Sequence, residues 1–349
     1  MPGEPTIDPT LTRVRAQEFA CPLGVYPTDP ARFAPLQGFH VDFEPADKDD
    51  DEGWEEWPDR YVYDVVITHG RVRALARALF TLMPGRLYPI LDIYGHDAYR
   101  EIDPYIAYEM VGFERFSDGV RRFREWLLED GFVGFGAMSL EPFMHVYIDE
   151  HKIITVRAES AMRERVERAL AAFDLAPVPE PMGVDSVEHE HRDVLAQPAD
   201  DDQGASRDDI LEDLREQWGL TLNIDPDSNV DDDGNDLGAT GWRCIVRRRI
   251  DDHDRDEAFE VLLVADCLAE AERTALNAAS GAPRPAGEQA ALAAAPASGA
   301  SREPAADIAE AEVVIADRVT PEELASLLGA PDHRGLLDAA GAHAVRRLD

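Results

Sequence analysis

Three places in the chain gather residues whose types and spacing suit chemistry. The first is the stretch YPILDIYGHDAYREIDPYIAYE, Tyr88 to Glu109. Asp92, His96 and Asp97 follow one another closely there, with Glu101, Asp103 and Glu109 behind them. Carboxylates and imidazoles are the usual ligands of divalent metals and the usual partners in proton transfer. Strand alternation puts Leu87, Pro89, Leu91 and Ile93 on one face and Tyr88, Ile90, Asp92 and Tyr94 on the other. His96 and Asp97 then sit just past the strand end, where loops often carry function. The spacing matches no compact ligand motif, and a polar loop over a tyrosine-rich core is the simpler reading.

The second place is FMHVYIDEHKIITVRAE. His145 and Asp149 share a strand face at an even spacing, and a metal there needs a further ligand from elsewhere, such as His69 or His96. Asp92, His96, Asp97 and His145 are the metal candidates taken from these two stretches. Glu150 and His151 fall in the turn, where a polar, exposed hairpin tip is the plainer expectation. The third place is DPDSNVDDDGND, Asp225 to Asp236. With Gly234 at the sharp-turn position of a calcium loop, Asn229, Asp231 and Asp233 fall on ligand positions. The closing position is then Thr240 in place of a bidentate Glu. An acidic loop is the default.

Nucleophile and phosphate motifs are missing. The chain holds no G-x-S-x-G, no S-x-x-K, no G-x-G-x-x-G and no phosphate-loop lysine. Its lysines are Lys48 and Lys152 alone. The cysteines, Cys21, Cys244 and Cys267, have neither metal nor redox spacing. No cofactor is predicted, and a divalent metal is the one that the residues leave open.

The elements that must position these groups follow from periodicity. RYVYDVVITHG reads as a strand, and RVRALARALFTLM as a helix with Val72, Leu75, Ala76, Leu79, Leu82 and Met83 inward. RLYPILDIYG reads as a strand that Pro89 restricts to an edge or bulged position. A helix follows from Ser117 to Gly131, then a glycine-thinned strand, a hairpin turning at Asp149 to Lys152, and a helix with Met162, Val166, Leu170 and Phe173 inward. Helix, strand, hairpin and helix recur over SRDDILEDLREQWG, LTLNID, GWRCIVRRRI with AFEVLLVA, and DCLAEAERTAL.

The fold class expected is α+β: two αβββα units, as an old degenerate duplication, with mixed or antiparallel sheets and helices on one face, plus an irregular N-terminal arm. Residues 1–59 form the arm, with a mobile acidic tip at 47–51. Residues 60–175 form the first domain, 176–206 an acidic Pro-rich linker, 207–277 the second domain and 278–306 a disordered Ala/Pro/Gly/Ser linker. Residues 307–349 return to the second domain as a strand and helix, with a last weak helix at the end.

Composition narrows the function. The chain has 349 residues, 71 acidic against 34 basic, and a net charge of −37. Such a surface repels a phosphate backbone, and its arginine clusters sit beside acids, so nucleic acid is excluded as a partner. The scarcity of lysine and the acidity suit a salty cytoplasm. No apolar run is long enough to span a membrane, and the N-terminus does not read as a signal peptide. The leading expectation is a non-enzymatic cytoplasmic protein that associates with another protein or with itself. The alternatives are a metal-assisted hydrolase or lyase using the Asp/His cluster, and an acidic mimic that occupies a basic or nucleic-acid-binding partner.

Overall fold

The computed structural model describes residues 5–46, 57–196, 204–250, 255–281, 311–330, 335–338 and 340–348. The acidic tip at 47–51 and most of the linker 278–306 lie outside the described residues. Two compact units result: residues 1–94 with 102–223, and residues 95–101 with 224–349.

The first unit opens with short strands, β1 (Arg15–Ala16), β2 (Phe19–Ala20) and β3 (Val25–Pro27), followed by β4 (Gly38–Glu44) and β5 (Arg60–Val66). Helix α1 (His69–Phe80) buries Val72, Leu75, Ala76, Leu79 and Phe80, the three-and-four spacing of one helical face. Strands β6 (Arg86–Tyr94), β7 (Ile102–Ala107) and β8 (Val111–Gly112) come next, then α2 (Phe113–Arg122) and α3 (Arg124–Glu129). The helix expected from Ser117 to Gly131 thus starts earlier and breaks at Phe123. Strands β9 (Val133–Leu140), β10 (Phe143–Ile148) and β11 (Ile154–Glu159) lead to α4 (Arg163–Ala171), which buries Val166 and Leu170. After β12 (His189–His191), helix α5 (Arg207–Trp218) and β13 (Leu220–Leu222) complete the unit.

Among the described residues, one sheet runs in the order β13-β7-β6-β9-β10-β11-β5-β4, with β8 also paired to β6. Its pairings are antiparallel. On one face, Leu87, Leu91, Phe135, Val146 and Val156 meet the apolar stripes of the helices in a single core. The other face carries Asp92, Tyr94, His145, Tyr147 and Arg157, all half-buried.

In the second unit, β14 (Thr240–Ile250), β15 (Arg255–Ala265), β16 (Ala311–Val319) and β17 (Gly341–Leu348) form a sheet in the order β16-β14-β15-β17. Helix α6 (Leu268–Ser280) and helix α7 (Pro321–Leu328) pack on it. Helix α7 has the N-terminus its sequence encodes. Thr320 and Glu323 form a reciprocal capping box, Pro321 takes the first turn, and Gly329 closes the helix in the left-handed conformation. Leu324 packs with Leu262, Val264 and Val319 beneath it.

The fold is α+β with antiparallel sheets and packed helices. The duplication expected from the element order is not what assembles. Helix α5 lays Trp218 against Phe116 of α2, ring centroids 5.1 Å apart, and β13 pairs with β7. Both therefore belong to the first unit, and among the described residues the second lacks the helix and strand expected to open its αβββα set. Three further expectations change. Pro89 lies in the interior of the sheet, opposite Ala137 of β9. It is tolerated because β8 pairs with β6 at Arg86 and Leu87 while β7 pairs from Ile90 onward, so no strand needs the missing N–H on that side. The expected last helix is β17, because GAHAVRRL can join the free edge of β15. The region 176–196, expected to be linker, holds β12, which pairs with β3.

Among the described residues, no helix is long and apolar enough to cross a membrane.

A candidate metal centre of three histidines

Two elements of the first unit build the site. The first is the turn of the β10–β11 hairpin. Asp149 Oδ1 accepts the Ile153 N–H at 2.8 Å, and the Lys152 N–H donates to the Asp149 carbonyl at 3.1 Å. Lys152 takes the left-handed conformation, φ 65°, and folds its side chain inward. Its buried ammonium donates to the Val133 carbonyl at 2.6 Å. Burial pushes this lysine down to about 8, against the pull of Asp130, Asp149 and Glu150. The turn is thus fastened at both ends and holds His151 in place.

The second element is β12. Side chains alternate along a strand, so His189 and His191 share a face while Glu190 points the other way and accepts from Tyr26 at 2.6 Å. The strand is brought close to the start of β9 by two facing glycines. A Cβ on Gly24 would lie 2.1 Å from the Gly131 nitrogen, and one on Gly131 would lie 2.2 Å from the Gly24 oxygen. That contact, with Arg192 N–H donating to Gly24 at 2.8 Å, sets the Gly131 carbonyl beside His191. Buried Asp130 fastens the same corner by accepting from the N–H groups of Phe132 and Val194. Burial pushes its carboxyl up to about 6, although those hydrogen bonds and Lys152 pull it down.

His151, His189 and His191 converge, with ligand atoms all within 4.8 Å of one another. Asp149, Glu150 and His151 form a second group by the same measure. Two of the outward nitrogens are occupied by oxygen acceptors. His189 Nδ1 donates to the Val187 carbonyl at 2.7 Å and His191 Nδ1 to the Gly131 carbonyl at 2.5 Å. His151 Nδ1 faces Glu150 at 3.4 Å and Asp149 at 3.6 Å, long for hydrogen bonds but close for charges. His189 and His191 are thereby left with Nε2 as the atom able to bind a metal, and the pairing of their Nδ1 with oxygen is the outer-shell arrangement that orients metal-binding histidines.

The distance between His151 Nε2 and His189 Nε2 is 2.9 Å. With its proton on Nδ1, His189 Nε2 is a bare acceptor, so His151 Nε2 must carry the proton between them. A second proton, on Nδ1, would face Glu150 and Asp149. The direction of its titration agrees: burial alone would lower it, but Asp149, Glu150 and Asp185 together raise it. His191 moves the other way, lowered by burial and by its two histidine neighbours although its bond to Gly131 pulls it up. Bonds of about 2.0–2.1 Å to zinc at tetrahedral angles would separate two nitrogens by roughly 3.3 Å, against 2.9 Å between His151 and His189.

Aromatic rings wall the site. The centroid of Tyr94 lies 5.9 Å from that of His191, and Phe132 lies 6.1 Å from it. Tyr94 Oη donates to Glu150 at 3.4 Å. Next to this, Tyr147 Oη donates to Asp92 at 2.6 Å. Burial raises the Asp92 carboxyl, against the Tyr147 hydrogen bond and helped by the charge of Glu150.

The residues proposed from the sequence are placed as follows. Asp92 is bound to Tyr147 beside the histidine site. His145 is stacked on Tyr147 and lies 3.4 Å from Arg157, and burial, then that arginine, lower it to about 4. His96 is exposed. Asp97 belongs to the second unit and is buried against Arg318, whose guanidinium and backbone N–H both donate to it at about 3.0 Å. The ligand groups found among the described residues contain none of these four. His69, considered as a helper, is bonded to Arg13 and the Leu128 carbonyl.

The loop Asp225 to Asp236 is organised by a guanidinium. Arg318 Nη1 donates to Asn229 Oδ1 at 3.0 Å and to the Val230 carbonyl at 2.6 Å. Asp231 accepts from the N–H groups of Asp233 and Asn235. The oxygens that a calcium ion would require from Asn229 and Asp231 therefore have other donors.

His189 and His191 were missed because their segment reads as linker; the alternation in VEHEH is the signal that could have found them. His151, expected to be exposed, is covered because β12 folds over the turn, and its side chain is 16 % accessible.

The fold and site together define an α+β protein with two His/Asp/Glu groups positioned to coordinate a divalent metal. Compared with protein families, curated proteins and solved structures, the chain matches none.

Proposed function

We propose that this chain is a metal-dependent enzyme of the hydrolase or lyase type, with a divalent metal held by His151, His189 and His191. The observation that carries this reading is the convergence of three imidazoles, two of which have their outward nitrogens fixed by carbonyl oxygens. Three histidines with a fourth position open to water or substrate are the arrangement of catalytic zinc sites, whereas structural sites are closed by four protein ligands. All three rings are half-buried, which leaves the fourth direction approachable. A metal in such a place makes bound water acidic and polarises a carbonyl or phosphoryl oxygen.

The chain's own residues supply the remaining parts. Glu150 or Asp149 can complete the coordination or take a proton from the attacking water. Asp92, with its carboxyl raised by burial, is a second group able to move a proton, and Tyr147 holds it in place. Tyr94 and Phe132 form an apolar wall that strengthens these electrostatic effects. The reading as a non-enzymatic association protein assumed that no catalytic groups converge, and this cluster supports the metal-assisted alternative better.

The test is metal content and rate. Purified protein is equilibrated with zinc, manganese, cobalt or iron(II), desalted and analysed for metal, then assayed on generic activated esters and phosphate esters. Stoichiometric retention that His189→Ala and His191→Ala abolish, with circular dichroism unchanged, is expected. Metal-dependent turnover lost in the same variants completes it. A folded wild type that retains no metal would refute the centre, and retention without turnover on any ester would refute the hydrolase reading.

A further inference from the structure

A second feature of the first unit lies away from the histidines. Helices α1, α2 and α3 enclose a cavity of about 340 Å³ over β9. Its floor is aromatic: Phe80 packs edge-on against Phe116 at 5.0 Å and lies 6.3 Å from Phe135. Its rim is cationic, formed by Arg73 and Arg77 on α1, Arg121 on α2 and Arg124 on α3. Asp118 is the one acid among the lining residues, and it is paired with Arg121 at 2.9 Å. Arg124 is paired with Glu125. Among the described residues, neither Arg73 nor Arg77 has an ion pair.

This concentration of arginine runs against the rest of the chain. With a net charge of −37, the protein as a whole repels small anions. Arg73 and Arg77, one helical turn apart beside an apolar hollow, concentrate positive charge there. The volume lies in the range of small-molecule pockets, and the mix of aromatic floor and few charged groups is how such pockets orient a ligand. Guanidinium forks match carboxylate and phosphate oxygens in geometry as well as charge.

We infer that this cavity binds a small amphipathic anion, its apolar tail on Phe80, Phe116 and Phe135 and its carboxylate or phosphate head among Arg73, Arg77 and Arg121. A neutral molecule with the same tail would gain the apolar contact but not the head-group bonds. A cation would meet the rim directly.

Calorimetric titration of the full chain with decanoate, decyl phosphate, decanol and decyltrimethylammonium tests this. At least one of the two anions should bind at least tenfold more tightly than decanol, and the cation should not bind. The tighter of the two anions identifies the head group. Arg77→Glu with Arg121→Glu, both exposed, should weaken the anion at least tenfold while circular dichroism stays unchanged. Val120→Trp, which fills the hollow, should abolish binding. Absence of binding by both anions, equal affinity for decanol, or undiminished affinity in the charge-reversed protein would each overturn the inference. The result is independent of metal content.

Discussion

Replacing Asp149 with Asn tests the histidine site through its proton. Asp149 does two things in the structure. Its Oδ1 accepts the Ile153 N–H, which an Asn carbonyl oxygen can also do. Its Oδ2 stands 3.6 Å from His151 Nδ1 and, with Glu150 and Asp185, raises that imidazole against the effect of burial. The substitution keeps the turn and removes the charge. The folded-state value of His151 lies above the ordinary 6.5, so its protonated form stabilises the metal-free fold. That contribution is complete below the unfolded value and is lost as pH rises through the folded value. A metal needs the bare Nε2, so affinity should climb about tenfold per pH unit in that window, with release of a proton, and then level off. In Asp149→Asn the levelling point should move to lower pH. At high pH, where protonation no longer matters, loss of an outer-shell carboxylate should weaken binding roughly 10–100-fold, or about 1.4–2.7 kcal/mol. Competition with a coloured chelator from pH 5 to 9 gives the affinity, and calorimetry in buffers of different ionisation enthalpy gives the protons released. A levelling point that stays in place or moves upward would refute the proton shared between His151 and His189.

Gly131→Val should force β12 away from Gly24, displace His191 and lower metal affinity at least tenfold, read by the same competition. Arg318→Ala should destabilise the second unit by at most about 3–5 kcal/mol in denaturant titrations, because it leaves buried Asp97 with Arg100, at 3.7 Å, as its remaining cation. Ile93→Ala should cost about 2–5 kcal/mol by opening a cavity, while His96→Ala at an exposed position should stay within about 0.5 kcal/mol; equal costs would undo the core assignment. Thermal midpoints should rise from low to molar potassium chloride as ions screen the net charge, and a flat or falling trend would remove the salt-adapted reading.

The parts legible in the sequence were those set by local periodicity. The inward face of α1, the alternation of Leu87, Leu91 and Ile93, the hairpin after Tyr147 and the capping of α7 all follow from spacing and cap residues. What the sequence left hidden depended on partners distant along the chain. Pro89 is harmless only because two different strands pair on either side of it. GAHAVRRL becomes a strand only because β15 offers an edge. His189 and His191 form a site with His151 only because Gly24 and Gly131 let two backbones touch. The opening cluster was partly informative: Tyr94 and Asp92 border the histidine site, whereas the loop just beyond them carries Asp97 to an arginine 221 residues further along the chain.

That last pairing limits how the gene can be divided. The second unit takes Gly95–Glu101 from inside the first, and Asp97 within that insert is the counter-charge of Arg318. A fragment beginning at Ile224 would carry the buried arginine without its carboxylate, and a first unit joined directly from Tyr94 to Ile102 would discard it. Recombination at a single breakpoint after Asn223 therefore moves the first unit with seven residues that belong to the second, and leaves the second without them.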